Sequence, residues 1–473
     1  MKERIIYCPA HFGNFYECAS YNELRSYFKE LKGWGATGIG TWFDPANMVD
    51  PFGKNPLYKW AREKPMQEME RKRDLLCAAR DEGLKVSLAL SPNVVYIDQL
   101  SQELAADTSE KGYIGPNLCP CKPKAKEIIL QNQQNILHFL KEKKLSLDYV
   151  LAIIKDYGGC ACAKCFPWIK TYLSLFEEIV PLILKYHPRA RVQFLTWWLN
   201  QKEIEAIVSY LNEKKPNWAE GINLSLGYAR EVPVIELSSP YQKTVFLHIS
   251  YSSGHSDKYG VKGGVVAPER LEEIFKKMPS DIIGFQAYSE GIYDDLNKYL
   301  SCQLGRNANL NVHQLVEKYC QDYFNLEGKD LKKTIEAIYE LEHIEENKER
   351  GPAIFEVFKE VGERHDLFDN WRFALLFIRA KVADIEFEIG DEERWEEETA
   401  KLTSEGVRAY IRKIDYLVKK RRTILEELER KIYRIGSQCH GLDIDKDYQI
   451  WQRWKKRIRE EKIVDFTKSS SNL

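Results

Sequence analysis

The first 290 or so residues alternate between two hydrophobic periods. Short runs of β-branched and aromatic residues end in Gly, Pro or polar positions, and most lead into a segment whose apolar residues recur three and four apart. The pattern predicts eight strands, over residues 4–8, 38–43, 85–90, 149–154, 192–197, 221–226, 245–249 and 282–288. Amphipathic helices are predicted between them, including 23–32, 66–82, 125–143, 169–185 and 268–278, several closed by the Gly, Asn or Pro that ends helices. The interval 228–242 breaks the rhythm, because Pro233 and Pro240 make it read as loop. From about Asp294 onward strand signals almost disappear, and long charged segments at helical spacing follow, such as 331–346 and 411–435.

Eight strands alternating with helices favour a closed parallel barrel over an open doubly wound sheet, and no Gly-rich phosphate turn follows the first strand. A barrel of this kind takes about 250 residues, so a chain of 473 has room for one more unit. The expected fold class is α/β, a (β/α)8 TIM barrel over 1–300 followed by an all-α C-terminal domain over 301–473. The charge run 392–398 reads as a solvated helix face.

With 70 Lys plus Arg against 71 Asp plus Glu the chain is nearly neutral, which argues against an electrostatic nucleic-acid binder. At 44% hydrophobic and 30% charged it is not a disordered or low-complexity chain. No stretch is long and apolar enough to span a membrane, and no secretory signal is visible. Together with an odd count of 11 cysteines, this makes a reducing cytoplasm the expected compartment.

Barrel enzymes carry their reactive groups at the carboxyl ends of the strands. That rule selects His11, Trp42, Asp44, Asp156, Tyr157, Trp197, Tyr288 and Glu290. Strand alternation puts Gln286, Tyr288 and Glu290 on one face, a polar series expected to point into the barrel mouth. Aromatic rings beside carboxylates suit a sugar, since ring faces stack on C–H surfaces while carboxylates bind hydroxyls. Glycosidic cleavage needs two positioned carboxyl groups; Glu290 and Asp156 are the expected pair, with Asp44 in reserve. Each has a plainer alternative: an ion pair for Glu290, a cap on the Gly158-Gly159 turn for Asp156, and an Asp-Pro turn opener for Asp44. His248 reads more simply as an interior group, and Trp198 is weighed with Trp197 as cleft or core.

Cys160, Cys162 and Cys165 place three thiols within six residues, and Cys119 and Cys121 precede them. Cys119, Cys160, Cys162 and Cys165 are the preferred set for a structural zinc ion, with Cys121 as a substitute for one of them. Free thiols are the alternative. No cofactor is expected for catalysis.

Three segments, Leu118-Cys119-Pro120, residues 156–168 and residues 288–297, resemble the catalytic barrel of bacterial glycoside hydrolases distantly related to the family 20 β-hexosaminidases and family 67 α-glucuronidases. The resemblance covers about 1–325 and implies exo-type cleavage of a glycosidic bond. Family 20 enzymes carry an Asp-Glu pair after strand four, whereas Tyr157 follows Asp156 here, so the usual general acid of that family is missing from that place. The relatives also often carry an extra α/β domain ahead of the barrel, and this chain reaches its first strand almost at once. The expected function is a glycoside hydrolase acting on a carbohydrate substrate. The rival is a non-catalytic carbohydrate-binding barrel that has lost its acid, and an enzyme using the thiols directly ranks last. The long amphipathic segments of the helical domain are a candidate homodimer interface.

Overall fold

The computed structural model describes residues 1–9, 14–46, 48–54, 56–107, 116–154, 159–227, 229, 231–251, 262–432 and 449–458. Eight parallel strands close into a barrel in sequence order: β1 Glu3–Tyr7, β2 Gly38–Trp42, β3 Lys85–Leu90, β4 Tyr149–Ala152, β5 Arg191–Leu195, β6 Ala219–Gly227, β7 Gln242–His248 and β8 Ile282–Tyr288. Closure is made by β1 on β8, with Ile5 opposite Gln286 and Tyr7 opposite Tyr288. A short helix α1 (Phe15–Cys18) precedes α2 (Tyr21–Trp34) in the first connection. The later connections carry α3 (Glu63–Asp81), α4 (Pro123–Glu142), α5 (Trp168–Tyr186), α6 (Gln201–Lys214) and α7 (Pro268–Lys276), and α8 (Asp295–Arg306) follows β8.

The eight strands and the five helices predicted between them are all present, and the differences lie at their ends. β5 stops at Leu195, two residues short of the predicted 197. There Thr196 gives its N–H to Asn223 and its hydroxyl accepts from the Ser225 N–H, and the chain turns with Trp198 at φ 63°. β6 outruns its apolar run at both ends, starting at Ala219 and ending at Gly227, and within it Gly221 passes so close to Gln242 that an added Cβ would lie 2.0 Å from the Gln242 carbonyl oxygen. Only glycine fits that approach.

Strand alternation sorts the side chains. Ile6, Cys8, Ile39, Phe285 and Ala287 join the large core beneath the helices, while Tyr7, Leu151, Leu195 and Phe246 pack together inside the barrel. Deeper in the barrel the Gln286 side-chain amide donates to Gln193 at 2.9 Å. Helix starts are fixed locally: Ser20 with Glu23 and Asn200 with Glu203 form capping boxes on α2 and α6.

Among the described residues no helix lies between β6 and β7. Val232, Ile235 and Tyr241 of that connection pack onto the core instead, while Val234 points outward at 89% exposure. Polar contacts pin the segment, among them the Ser238 N–H donating to Asn212 at 2.9 Å, Asn212 donating to the Glu236 carbonyl at 3.4 Å, and the Lys243 ammonium reaching the Ile235 carbonyl at 3.0 Å.

Beyond the barrel the chain is helical: α9 (Val312–Phe324), α10 (Gly328–Glu342), α11 (Gly351–His365), α12 (Trp371–Ile389), α13 (Glu392–Ala400) and α14 (Ser404–Ile432), with a further helix over 449–458. In α13 Trp395 and Thr399 are buried, whereas Glu392, Glu393, Glu396, Glu397 and Glu398 face solvent as the charge pattern predicts. No helix among the described residues is long and apolar enough to cross a membrane.

The two regions meet at Asp295, the first residue of α8, which is 3% exposed. Its carboxylate accepts from the phenols of Tyr27 and Tyr319, both at 2.6 Å, and from the Arg372 guanidinium at 2.7 Å. Arg372 also pairs with Glu30 at 2.7 Å and lies 4.1 Å from the centre of the Tyr323 ring. Burial drives the Tyr27 and Tyr319 phenols well above their ordinary pKa, so both stay protonated as donors. Replacing Arg372 with Met leaves Asp295 charged and buried without its cation. The expected cost is about 3 to 5 kcal/mol, read as a lowered urea midpoint.

Candidate functional site

The barrel mouth is built on an aromatic floor. Tyr7, the last residue of β1, stacks on Tyr288 at 6.0 Å and meets Phe246 edge-on at 5.4 Å. Trp42 and Trp197 pack against the same cluster, both half-buried. One layer up, the imidazole of His248 lies parallel to Trp197 at 4.8 Å, to Tyr288 at 5.0 Å and to Tyr251 at 5.4 Å. Burial, reinforced by the Arg270 cation, lowers the His248 pKa to about 3, so the ring is neutral at physiological pH. It is a wall of the site and not a proton shuttle.

Glu290 lies two residues beyond β8 and continues the inward face of Gln286 and Tyr288. It is 3% exposed. Its Oε1 accepts from the Tyr288 hydroxyl, and its Oε2 lies 3.5 Å from the Asn14 side-chain amide. Burial outweighs both donors and raises the carboxyl pKa from 4.5 to about 8, with the Asp294 and Glu17 charges adding to the rise. The group is therefore mostly protonated at neutral pH.

Its backbone is held as firmly. The Glu290 N–H donates to Ser250 Oγ at 2.9 Å and to Asp294 at 3.2 Å, and Asp294 also accepts from the Ser250 and Ser289 hydroxyls at 2.7 and 2.9 Å. Lys298, one turn on, balances Asp294 at 2.8 Å, and both side chains are essentially inaccessible.

Of the residues selected by sequence, Trp42, Trp197 and Tyr288 come together in one cluster, and Glu290 adjoins it through the Tyr288 hydroxyl. Asp44 follows β2, half-buried, and its carboxylate accepts from the Ala46 N–H at 3.1 Å, the turn-opening contact expected of an Asp-Pro pair. His11, Asp156 and Tyr157 lie outside the described residues. Trp198 is 43% exposed and meets Trp197 edge-on. Tyr7, Phe246, Asn14 and Asp294 are not among the sequence candidates, and Ser250 and Tyr251, which the strand-end rule does select after the seventh strand, carry no assigned role there. Tyr7 and Phe246 could have been found by extending to β1 and β7 the alternation applied to β8; nothing local marks Asn14.

The thiols form a second centre. The Sγ atoms of Cys119, Cys160, Cys162 and Cys165 all lie within 4.8 Å of one another, a set that could hold a metal ion.

No family model matches the chain, and no curated protein matches it in sequence. Solved structures to which it is similar include an α-amylase from Geobacillus thermoleovorans complexed with acarbose, at 13% identity over 64% of this chain and 78% of that one, TM-score 0.41. Another is a GH138 enzyme targeting pectin rhamnogalacturonan II, at 10% identity over 91% and 63%, TM-score 0.44. A third contains GH20 catalytic modules of the pneumococcal exo-β-D-N-acetylglucosaminidase StrH, at 11% identity over 73% and 91%, TM-score 0.41. These values add nothing to the barrel already described and single out no family.

Glu290 makes stability pH-dependent. Between the ordinary value of 4.5 and about 8 the folded state keeps a proton that the unfolded state has released. Stability then falls as pH rises through that window, by up to about 1.4 kcal/mol per pH unit. Glu290→Gln removes the term, so the variant should gain on the wild type from pH 5 to pH 8 in paired thermal melts. Parallel curves would show that the carboxyl is ionised throughout.

Proposed function

We propose that the protein is a glycoside hydrolase and that Glu290 is its general acid. The observation that carries the reading is a buried carboxyl, held protonated near neutral pH, at the carboxyl end of a barrel strand among aromatic rings. An acid with a pKa near the working pH can hand its proton to a leaving glycosidic oxygen, which a carboxylate ionised at 4.5 does poorly. The Tyr288 hydroxyl and the Asn14 amide then stabilise the carboxylate that remains. Trp42 and Trp197 offer faces for sugar C–H surfaces, and His11 and Tyr157 complete the proposed substrate contacts.

The second carboxylate is proposed to be Asp156, with Asp44 in reserve. In the closed strand order β4 stands opposite β8, an arrangement that favours a wide carboxyl separation, room for a water between the groups, and inversion of configuration. Exo-type action follows the sequence resemblance.

The test is hydrolysis of a panel of aryl α- and β-glycosides, including glucuronides and N-acetylhexosaminides. Wild type should turn over at least one member, with kcat/KM falling above about pH 8 as Glu290 loses its proton. Glu290→Gln should lose roughly 10²-fold to 10⁴-fold in kcat. Sugar binding in calorimetry without turnover, in folded protein, would replace the hydrolase by a carbohydrate-binding barrel.

A further inference from the structure

The thiol cluster joins two separate excursions of the chain. Between β3 and α4 two isolated antiparallel bridges join Val94 with Asn117 and Ala105 with Leu118, and the Cys119 N–H donates to Leu104 at 3.0 Å. This carries Cys119 beneath the segment that follows β4, where the Ala161 N–H reaches Asp107 at 3.1 Å and the Cys165 N–H turns back onto Cys162 at 2.9 Å. Asn93 spans both, its amide donating to Leu118 at 3.1 Å and to Gly159 at 3.4 Å. Gly159, at φ 134°, lies against the Trp168 ring so closely that an added Cβ would come within 2.9 Å of it. The backbone is thus fixed on both sides before any ligand is considered.

Four sulfurs each about 2.3 Å from one zinc ion, at the corners of a tetrahedron, stand about 3.8 Å apart. Cys119 Sγ lies 3.8 Å from Cys162 Sγ and 3.8 Å from Cys165 Sγ. That is far beyond a disulfide length of about 2.05 Å. A second observation points the same way. The Asp107 backbone N–H donates to Cys160 Sγ at 3.4 Å. Such a donor stabilises thiolate charge around a metal and gains little from a neutral thiol.

We propose that Cys119, Cys160, Cys162 and Cys165 hold one structural zinc ion, and that Cys121 is a fifth thiol outside the coordination shell. Cys121 Sγ lies 3.3 Å from Cys165 Sγ, shorter than a tetrahedral edge, which suits an S–H donating to a bound thiolate. It also lines an open groove between α4 and α5, whereas Cys119, Cys160 and Cys165 are buried. On binding, the four thiols give up their protons to solvent, and with no position left open the ion is a clamp and not a catalyst. The clamp begins four residues after Asp156 in sequence, so it ties down the far end of the segment that carries this proposed base.

The test reads metal and thiol chemistry, so it stands or falls independently of hydrolysis. Elemental analysis of the folded wild-type chain should find about one zinc per chain. Alkylation followed by peptide mapping should label Cys121 directly and Cys162 only after a chelator is added. Cys121→Ser should keep the zinc and Cys162→Ser should lose it. Folded wild type with less than roughly a tenth of an equivalent of zinc, or with iron in its place, overturns the proposal. So does Cys162 labelling at the same rate with and without chelator, a readout that needs no variant to fold.

Discussion

Two consecutive carboxylates at the start of α8 organise the molecule. Asp294 gathers the Glu290 N–H, the Ser250 and Ser289 hydroxyls and the Lys298 ammonium, all in the wall of the barrel mouth. Asp295 gathers Tyr27 from the first barrel helix layer and Tyr319 and Arg372 from the helical region. One turn of helix therefore fixes the proposed acid on one side and docks the C-terminal helices on the other. Both carboxylates are desolvated, and such groups are tolerable only when fully paired. The partners of Asp295 come from residues as far apart as 27 and 372, so that arrangement needs both regions in place, whereas those of Asp294 all lie within residues 250–298.

The chemistry proposed for Glu290 uses the same desolvation in the opposite sense. Asp294 is buried beside a cation, whereas Glu290 is buried beside a phenol and an amide. Among the described residues this phenol and amide touch the Glu290 carboxyl, and burial outweighs them in favour of the neutral acid. The aromatic floor contributes to this, since Tyr7, Phe246 and Tyr288 keep solvent from approaching through the barrel. The rings that offer a surface to a sugar thus also belong to the environment that sets the protonation of the acid. The neutral His248 fits this setting, because an imidazolium stacked in that wall would pull the carboxyl back toward ionisation.

The fold was legible because parallel strands covered on both faces read as continuous apolar runs, and β3 and β8 were bounded to the residue. Differences fall where backbone hydrogen bonds outlast or fall short of the apolar pattern, as at Ala219 and Gly227 at the ends of β6 and at Thr196 after β5. The Pro-bearing stretch between β6 and β7 was correctly read as loop. Within the site, Glu290 was visible because strand alternation makes a polar series conspicuous. Tyr7 and Phe246 carry a weaker signal, because a lone aromatic residue reads the same inward or outward and only its parity within β1 or β7 tells the two faces apart. Asn14 and Asp294 gain their roles only through contacts 276 and 4 residues away along the chain, the first of which no window on the sequence can see.

The connection between β6 and β7 leaves the barrel wall uneven. Among the described residues seven of the strands are followed by a helix, which buries a continuous apolar face against the sheet. Here a loop does the covering, held by a handful of apolar side chains and the Asn212 and Lys243 contacts. Its detachment costs little backbone order and exposes the outer faces of β6 and β7 while the rest of the ring stays closed. This staves-and-hoop construction has one loose stave, so amide exchange in the native protein should begin at β6 and β7 and reach β2 and β3, on the opposite side of the ring, last.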